Sequence, residues 1–229
     1  ILHVCRVKLS KKSLYLTIRN VGYMCRLGFS SFLCETAIAT MMFVGNYVFI
    51  RYLGEDGVAA YSIACYFFPI VFMVYNAIAQ SAQPILSYNY GAKCTARVRE
   101  TFRLALTTAI LCGAGVFLLT WIFSHQIVGM FLDSSYPAYN IAVKGLPLFA
   151  SGFVFFGINI VSIGYFQSLE RDCPAMIITL LRGFALILLC FWILPIIWGF
   201  WGIWLAVPMS ELLTFLFVLV IYWLENRRN

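Results

Sequence analysis

Of 229 residues, 62% are hydrophobic and 11% charged, with a mean hydropathy of +0.89. Soluble domains carry about 25% charged residues, so a soluble globular domain is excluded and a polytopic membrane protein is indicated. The net charge of +7 is gathered at particular turns. It therefore reports membrane topology, and no nucleic-acid partner is expected.

Residues 1–26 hold Arg6, Lys8, Lys11, Lys12, Arg19 and Arg26 among scattered apolar residues, which predicts an amphipathic linker helix on the cytoplasmic membrane surface. No signal peptide is visible, and Ile1 in place of a methionine implies that the chain begins inside a longer one. A six-helix transmembrane unit over residues 27–224 follows, with 225–229 as a cytoplasmic tail.

The first span, about 27–52, contains one acid, Glu35. An acid inside a span costs about 2.5–3.5 kcal/mol on insertion scales, so such a residue faces protein or water. Gly54-Glu55-Asp56-Gly57 turns the chain into the second span, about 58–88, which contains Pro69 and Pro84. A proline inside a helix frees a carbonyl that must find a partner in protein or in a water-lined cavity. Asn76, Gln80 and Gln83 share one helical face there. The polar end of the same span, Ser87-Tyr88-Asn89-Tyr90-Gly91, sets two tyrosines at the membrane interface and a glycine at the stop.

Past a basic loop, the third span covers about 101–123, uncharged after Arg103. The fourth, about 138–167, contains Pro147, Ala150-Ser151-Gly152 and the polar Asn159 and Ser162; its glycines at 152, 157 and 164 predict close helix approach. Glu170-Arg171-Asp172 forms a charged turn into the fifth span, about 174–197, which holds Arg182. That side chain can snorkel to the headgroups or pair with an acid or a helix end. The sixth span, about 203–224, contains Pro208 and Glu211. With both termini cytoplasmic, 13 of the 16 basic residues lie inside, Arg51 and Lys144 outside, and Arg182 in the membrane. An integral, multi-pass protein of the plasma (inner) membrane is expected, with lipid as its surroundings.

Chemistry is sparse. There is no GxSxG, P-loop or HExxH, so the chain is not expected to be an enzyme. The cysteines inside the spans, Cys34, Cys65, Cys112 and Cys190, sit singly, and His3 and His125 are isolated. Neither a metal site nor a cofactor is expected. Without a Walker motif, transport would be driven by an ion gradient. Glu35, the Asn76/Gln80/Gln83 face, Asn159, Arg182 and Glu211 are the polar residues that such a site could draw on.

Gln83-Pro84, then Ser87-Tyr88-Asn89-Tyr90-Gly91-Ala92-Lys93 and the basic Arg97, Arg99 and Arg103, resemble the eighth helix and following loop of the multidrug and toxic compound extrusion (MATE) antiporters. Leu180-Leu181-Arg182-Gly183 and the run from Gly202 to Glu211 resemble that family's eleventh and twelfth helices. The resemblance implies an all-α, six-helix C-terminal lobe of a twelve-helix, two-lobed transporter, with the N-terminal lobe as its missing partner. It implies proton- or sodium-coupled export of organic cations, drugs or toxic metabolites by alternating access.

It also places Glu35 at the seventh-helix acid of a cation-coupling site. Sodium-coupled members pair that acid with a tenth-helix aspartate, where this chain offers the uncharged Asn159. Asn76, Gln80, Gln83 and Glu211 become candidates for the substrate cavity, and Pro69, Pro84, Asn89, Gly91 and Arg182 for structural or gating roles. The alternatives from other classes are a lipid-linked glycan flippase of related fold and a non-transporting membrane scaffold; a channel would need rings of charge that solitary acids do not make.

Overall fold

The computed structural model describes residues 18–226, and the helices account for nearly all of them. The first helical stretch, Ile18–Gly91, is broken at Gly54, whose backbone (φ 68°, ψ −157°) lies in a region open essentially to glycine. It therefore divides into α1 (18–53) and α2 (55–91). The two are antiparallel neighbours: Phe49 stacks on Tyr61 at 4.3 Å, and the Tyr61 hydroxyl lies 3.4 Å from the Met41 carbonyl. After a tight turn come α3 (Thr95–Ile122), the short α4 (Ser124–Gly129), α5 (Pro137–Ala150) and α6 (Phe153–Ser168).

The last stretch begins at Asp172, passes through a π-helical turn over Leu181–Ala185, and breaks at Gly199 (φ 54°, ψ −124°). It gives α7 (172–198) and α8 (200–226), again folded back on each other, with Gly202 against the Leu194 carbonyl. The long apolar stretches are 35–91, 95–122 and 172–224, and α5 with α6 forms one span bent by 41°. With the reversals at Gly54 and Gly199, the bundle has six membrane crossings.

Three sequence expectations change in detail. Residues 1–17 lie outside the described residues, and 18–26 continue α1 without a break, so no separate surface helix is marked off there. Arg97, Arg99 and Arg103 ride on the first turns of α3 and not on a loop, because nothing after Cys94 interrupts helix formation. The fourth span is two helices: Pro147 lacks an N–H to donate, Ser151 hydroxyl binds the Leu148 carbonyl at 2.6 Å, and the axis bends at Ser151-Gly152. A Cβ at Gly152 would stand 2.8 Å from the Pro208 Cα, so glycine lets the bend press against α8.

α6 is the centre of the bundle. It lies against α2, α3, α7 and α8, and it is buried on all sides except for scattered residues. A helix that is apolar all round must be enclosed. Two aromatic stripes with the same spacing meet there. Phe68, Phe72 and Tyr75 of α2 interleave with Phe149, Phe153 and Phe156 of the bent span, Phe68 and Phe156 stacking at 4.7 Å. Tyr75 donates its hydroxyl to the Phe153 carbonyl at 2.8 Å, a partner for a carbonyl near the bend. Aromatic belts mark the two ends of the bundle. Trp121, Tyr136, Trp198 and Trp201 are exposed at one, and Tyr88, Tyr90 and Trp223 at the other.

Candidate functional site

The polar centre of the lobe forms where α6, α7 and α8 meet. Glu211 of α8 is 4% exposed, Arg182 of α7 5% and Asn159 of α6 0%. Arg182 Nε donates to Glu211 Oε1 at 2.8 Å. Asn159 spends both amide protons on the same residue, donating from Nδ2 to the Glu211 carbonyl at 2.9 Å and to Oε2 at 2.8 Å. Each carboxylate oxygen thus has one donor, and the Arg182 guanidinium carbon sits 4.3 Å from the centroid of the Phe156 ring. A carboxylate and an aromatic face hold the guanidinium between them.

Two atoms of the cluster have no partner: Arg182 Nη1 and Asn159 Oδ1, both buried. The cluster borders a small cavity lined by Ala37, Ile38 and Met41 of α1, Phe68 of α2, Ile187 of α7 and Val207 of α8, together with Arg182, Gly183 and Glu211. About 10 Å³ of it is open to the centre of a water molecule, room for about one water. The π turn supplies the geometry. It puts an extra residue into α7 at Arg182, and the neighbouring Gly183 abuts Ala37 so closely that a Cβ would overlap it.

The structure does not bring Glu35 and Asn159 together. Asn159 sits in the enclosed α6 and is committed to Glu211, whereas Glu35 is exposed on α1, just before the residues that line the cavity. The amide face divides as well. Gln83 reaches Gln167 of α6 at 3.4 Å, Asn76 is half-buried and Gln80 is exposed. Pro69 and Pro84 both stay within α2, half-buried and exposed respectively. Asn89 donates to the Ile85 carbonyl at 2.8 Å while its own carbonyl accepts from Cys94, closing the turn into α3; Gly91 is exposed beside it.

Arg182 does not snorkel; it takes the other course open to it and pairs with an acid. That pair had a signal in the sequence, one cation and one anion in adjacent, otherwise uncharged spans. The part of Phe156 was signalled more faintly by the matching four-and-three spacing of the two aromatic stripes. Nothing in Leu181-Arg182-Gly183 marks the π turn.

The MatE family matches residues 31–192. The chain belongs to this family. A relative, "Probable multidrug resistance protein NorM" of Rhizobium meliloti (strain 1021), is 26% identical over 158 residues, which are 66% of this chain and 33% of the relative. Among solved structures, a MOP superfamily transporter from Pyrococcus furiosus matches with a TM-score of 0.82 and 16% identity over 93% of this chain and 48% of its own. An outward-facing multidrug resistance MATE family transporter matches with a TM-score of 0.83 and 18% identity over 96% and 51%. A MATE crystallised in the straight conformation gives 0.84 and 16% over 95% and 49%. At these identities the structures show the fold. The chain spans about half the length of these MATE transporter structures and a third of the curated relative, so it corresponds to part of a MATE transporter.

Proposed function

We propose that the MatE chain is the C-terminal half of an antiporter that exports organic cations in exchange for protons or sodium by alternating access. The observation that carries this reading is its superposition, nearly end to end, on one half of transporter chains. A transporter of this design rocks one bundle against another around a site between them, and a single bundle lacks the second wall. In this reading both termini are cytoplasmic, the membrane is the plasma membrane, and Glu35 is the carboxylate that α1 holds open to a coupling ion.

The polar cluster weighs against the flippase alternative. A pocket for a lipid-linked glycan phosphate would call for a cationic wall, and the one cation lining this cavity is neutralised by Glu211. The test is dye transport by the full-length protein in vesicles, with and without an imposed proton or sodium gradient. Gradient-driven movement of a cationic dye is expected. Movement that ignores both gradients would defeat the antiport reading.

A further inference from the structure

We propose that the furrow between α3 and α8 is a binding site for an anionic phospholipid, with one acyl chain lying along it and the phosphate held by Arg99 and Arg103. The inference goes beyond the transporter reading and does not depend on it. α3 and α8 each pack on α6 but scarcely on each other, so a strip of α6 is only partly covered between them. On one side Gly113 of α3 presses on the Val154 backbone of α6, and on the other Phe155 of α6 meets Phe215 of α8 at 5.7 Å. Ile158 and Tyr165, both half-buried, follow on the face between those two contacts.

The furrow has an apolar length and a basic end. Arg99, Phe102, Arg103 and Leu106 stand at i, i+3, i+4 and i+7 and so share one flank of α3. The Phe102 ring lies 4.2 Å from that of Tyr165 and 5.5 Å from that of Tyr222 on α8, and all three are half-buried. They make an aromatic floor between the two outer helices. From Tyr165 back to Phe155 the floor helix runs about 15 Å, half of the ~30 Å hydrocarbon core. One leaflet's acyl chain has that depth to fill.

The exposed Tyr88, Tyr90 and Trp223 mark the headgroup level at this end of the bundle. Arg99 stands at that level, since Arg99, Arg171 and Tyr90 all lie near enough to the Tyr165 hydroxyl to act on it electrostatically. Arg171 is already engaged within the protein. The guanidinium groups of Arg99 and Arg103 are exposed and make no hydrogen bond or ion pair among the described residues. Arg103 starts one turn deeper, where its stem can lie along apolar surface while its charge rises to the phosphate. Glu100 falls on the other side of α3 with Arg97 and leaves the furrow flank basic. The guanidinium fork matches a phosphate. A choline headgroup would add a cation beside it, so the site selects lipids of net negative charge.

The experiment places the full-length protein in nanodiscs of phosphatidylglycerol and phosphatidylcholine in equal amounts, with a diazirine on the acyl chain of one or the other. After photolysis the labelled residues are mapped by mass spectrometry. Leu106, Ile158 and Phe215 should be marked by phosphatidylglycerol in preference to phosphatidylcholine. Leu111 and Leu118, exposed on the outer face of α3, should be marked by both alike. The preference should be about 5-fold for each arginine. Arg99→Gln/Arg103→Gln should therefore remove it, Arg99→Lys/Arg103→Lys should keep most of it, and Arg97→Gln should leave it unchanged.

A furrow labelled no more selectively than Leu111 and Leu118 in the wild type would overturn the proposal. So would an Arg97→Gln variant that loses as much preference as the Arg99→Gln/Arg103→Gln pair, because the selectivity would then belong to diffuse surface charge. Labelling of the furrow by neither lipid would mean that protein covers it, and the site would fall on that ground. Lipid labelling needs no gradient and no dye, so each of these outcomes stays readable even if the transport reading fails.

Discussion

Glu211 is 4% exposed, and its burial cost is met by two charge-assisted hydrogen bonds to its carboxylate, from Arg182 Nε and Asn159 Nδ2. Breaking such a pair from one side leaves an uncompensated charge and costs about 3–5 kcal/mol, whereas replacing both partners is often neutral. Arg182→Met is therefore expected to lower the stability of the full-length protein by that amount, and Arg182→Met/Glu211→Gln to recover most of it. Thermal unfolding in detergent checks this as a double-mutant cycle. A double variant as unstable as the single one would mean that the packing of Arg182 on Phe156, and not its charge, dominates. Asn159 adds a smaller increment: Asn159→Ala bares Oε2 and the Glu211 carbonyl and should cost about 1–3 kcal/mol in the same assay.

At the scale of the helices, Gly54 and Gly199 decide the topology, because each reverses the chain within one residue. Nothing lies within 4 Å of where a Cβ would stand at either position, so an alanine there would be penalised by its backbone alone. Gly54→Ala and Gly199→Ala should each destabilise by about 1–3 kcal/mol. Gly115→Ala has equal room but sits in α3 without a positive φ, and it should stabilise by about 0.5–1 kcal/mol. An equal response of all three would show that the reversals tolerate a side chain.

The first of these turns was legible as Gly54-Glu55-Asp56-Gly57, and the spans were legible from hydropathy, since burial in lipid demands long uncharged runs. The bend at Ser151-Gly152 was half legible. Pro147 weakens the helix, but the bend also depends on α8 presenting Pro208 there, which is a long-range contact. The coupling of Asn159 to Glu211 was hidden for the same reason: the residues are 52 apart in sequence and meet through the folding of α6 against α8. Glu35 drew attention because an acid in a span is costly, but cost does not tell whether the relief is protein or solvent. The structure shows Glu35 exposed and Glu211 enclosed.

For the whole molecule, alternation of six crossings puts the turns at 91–95 and 168–172 on one side of the membrane, together with the two described ends of the chain. The turns at Gly54, 123–136 and Gly199 fall on the other. The basic residues follow this division: Lys93, Arg97, Arg99, Arg103 and Arg171 cluster at the first side, while Arg51 and Lys144 lie towards the second. The proposed orientation puts this first side, with its excess of positive charge, in the cytoplasm. Two native thiols make this measurable without a substitution, because Cys94 and Cys173 are both exposed and stand beside those two turns. In intact cells a membrane-impermeant maleimide should leave both unlabelled, and permeabilisation should open both to reaction. Cysteines placed at Asp56 or Ser135 should react before permeabilisation, as each is exposed on the opposite side. Labelling of Cys94 and Cys173 in intact cells, with the two substituted sites protected, would invert the orientation.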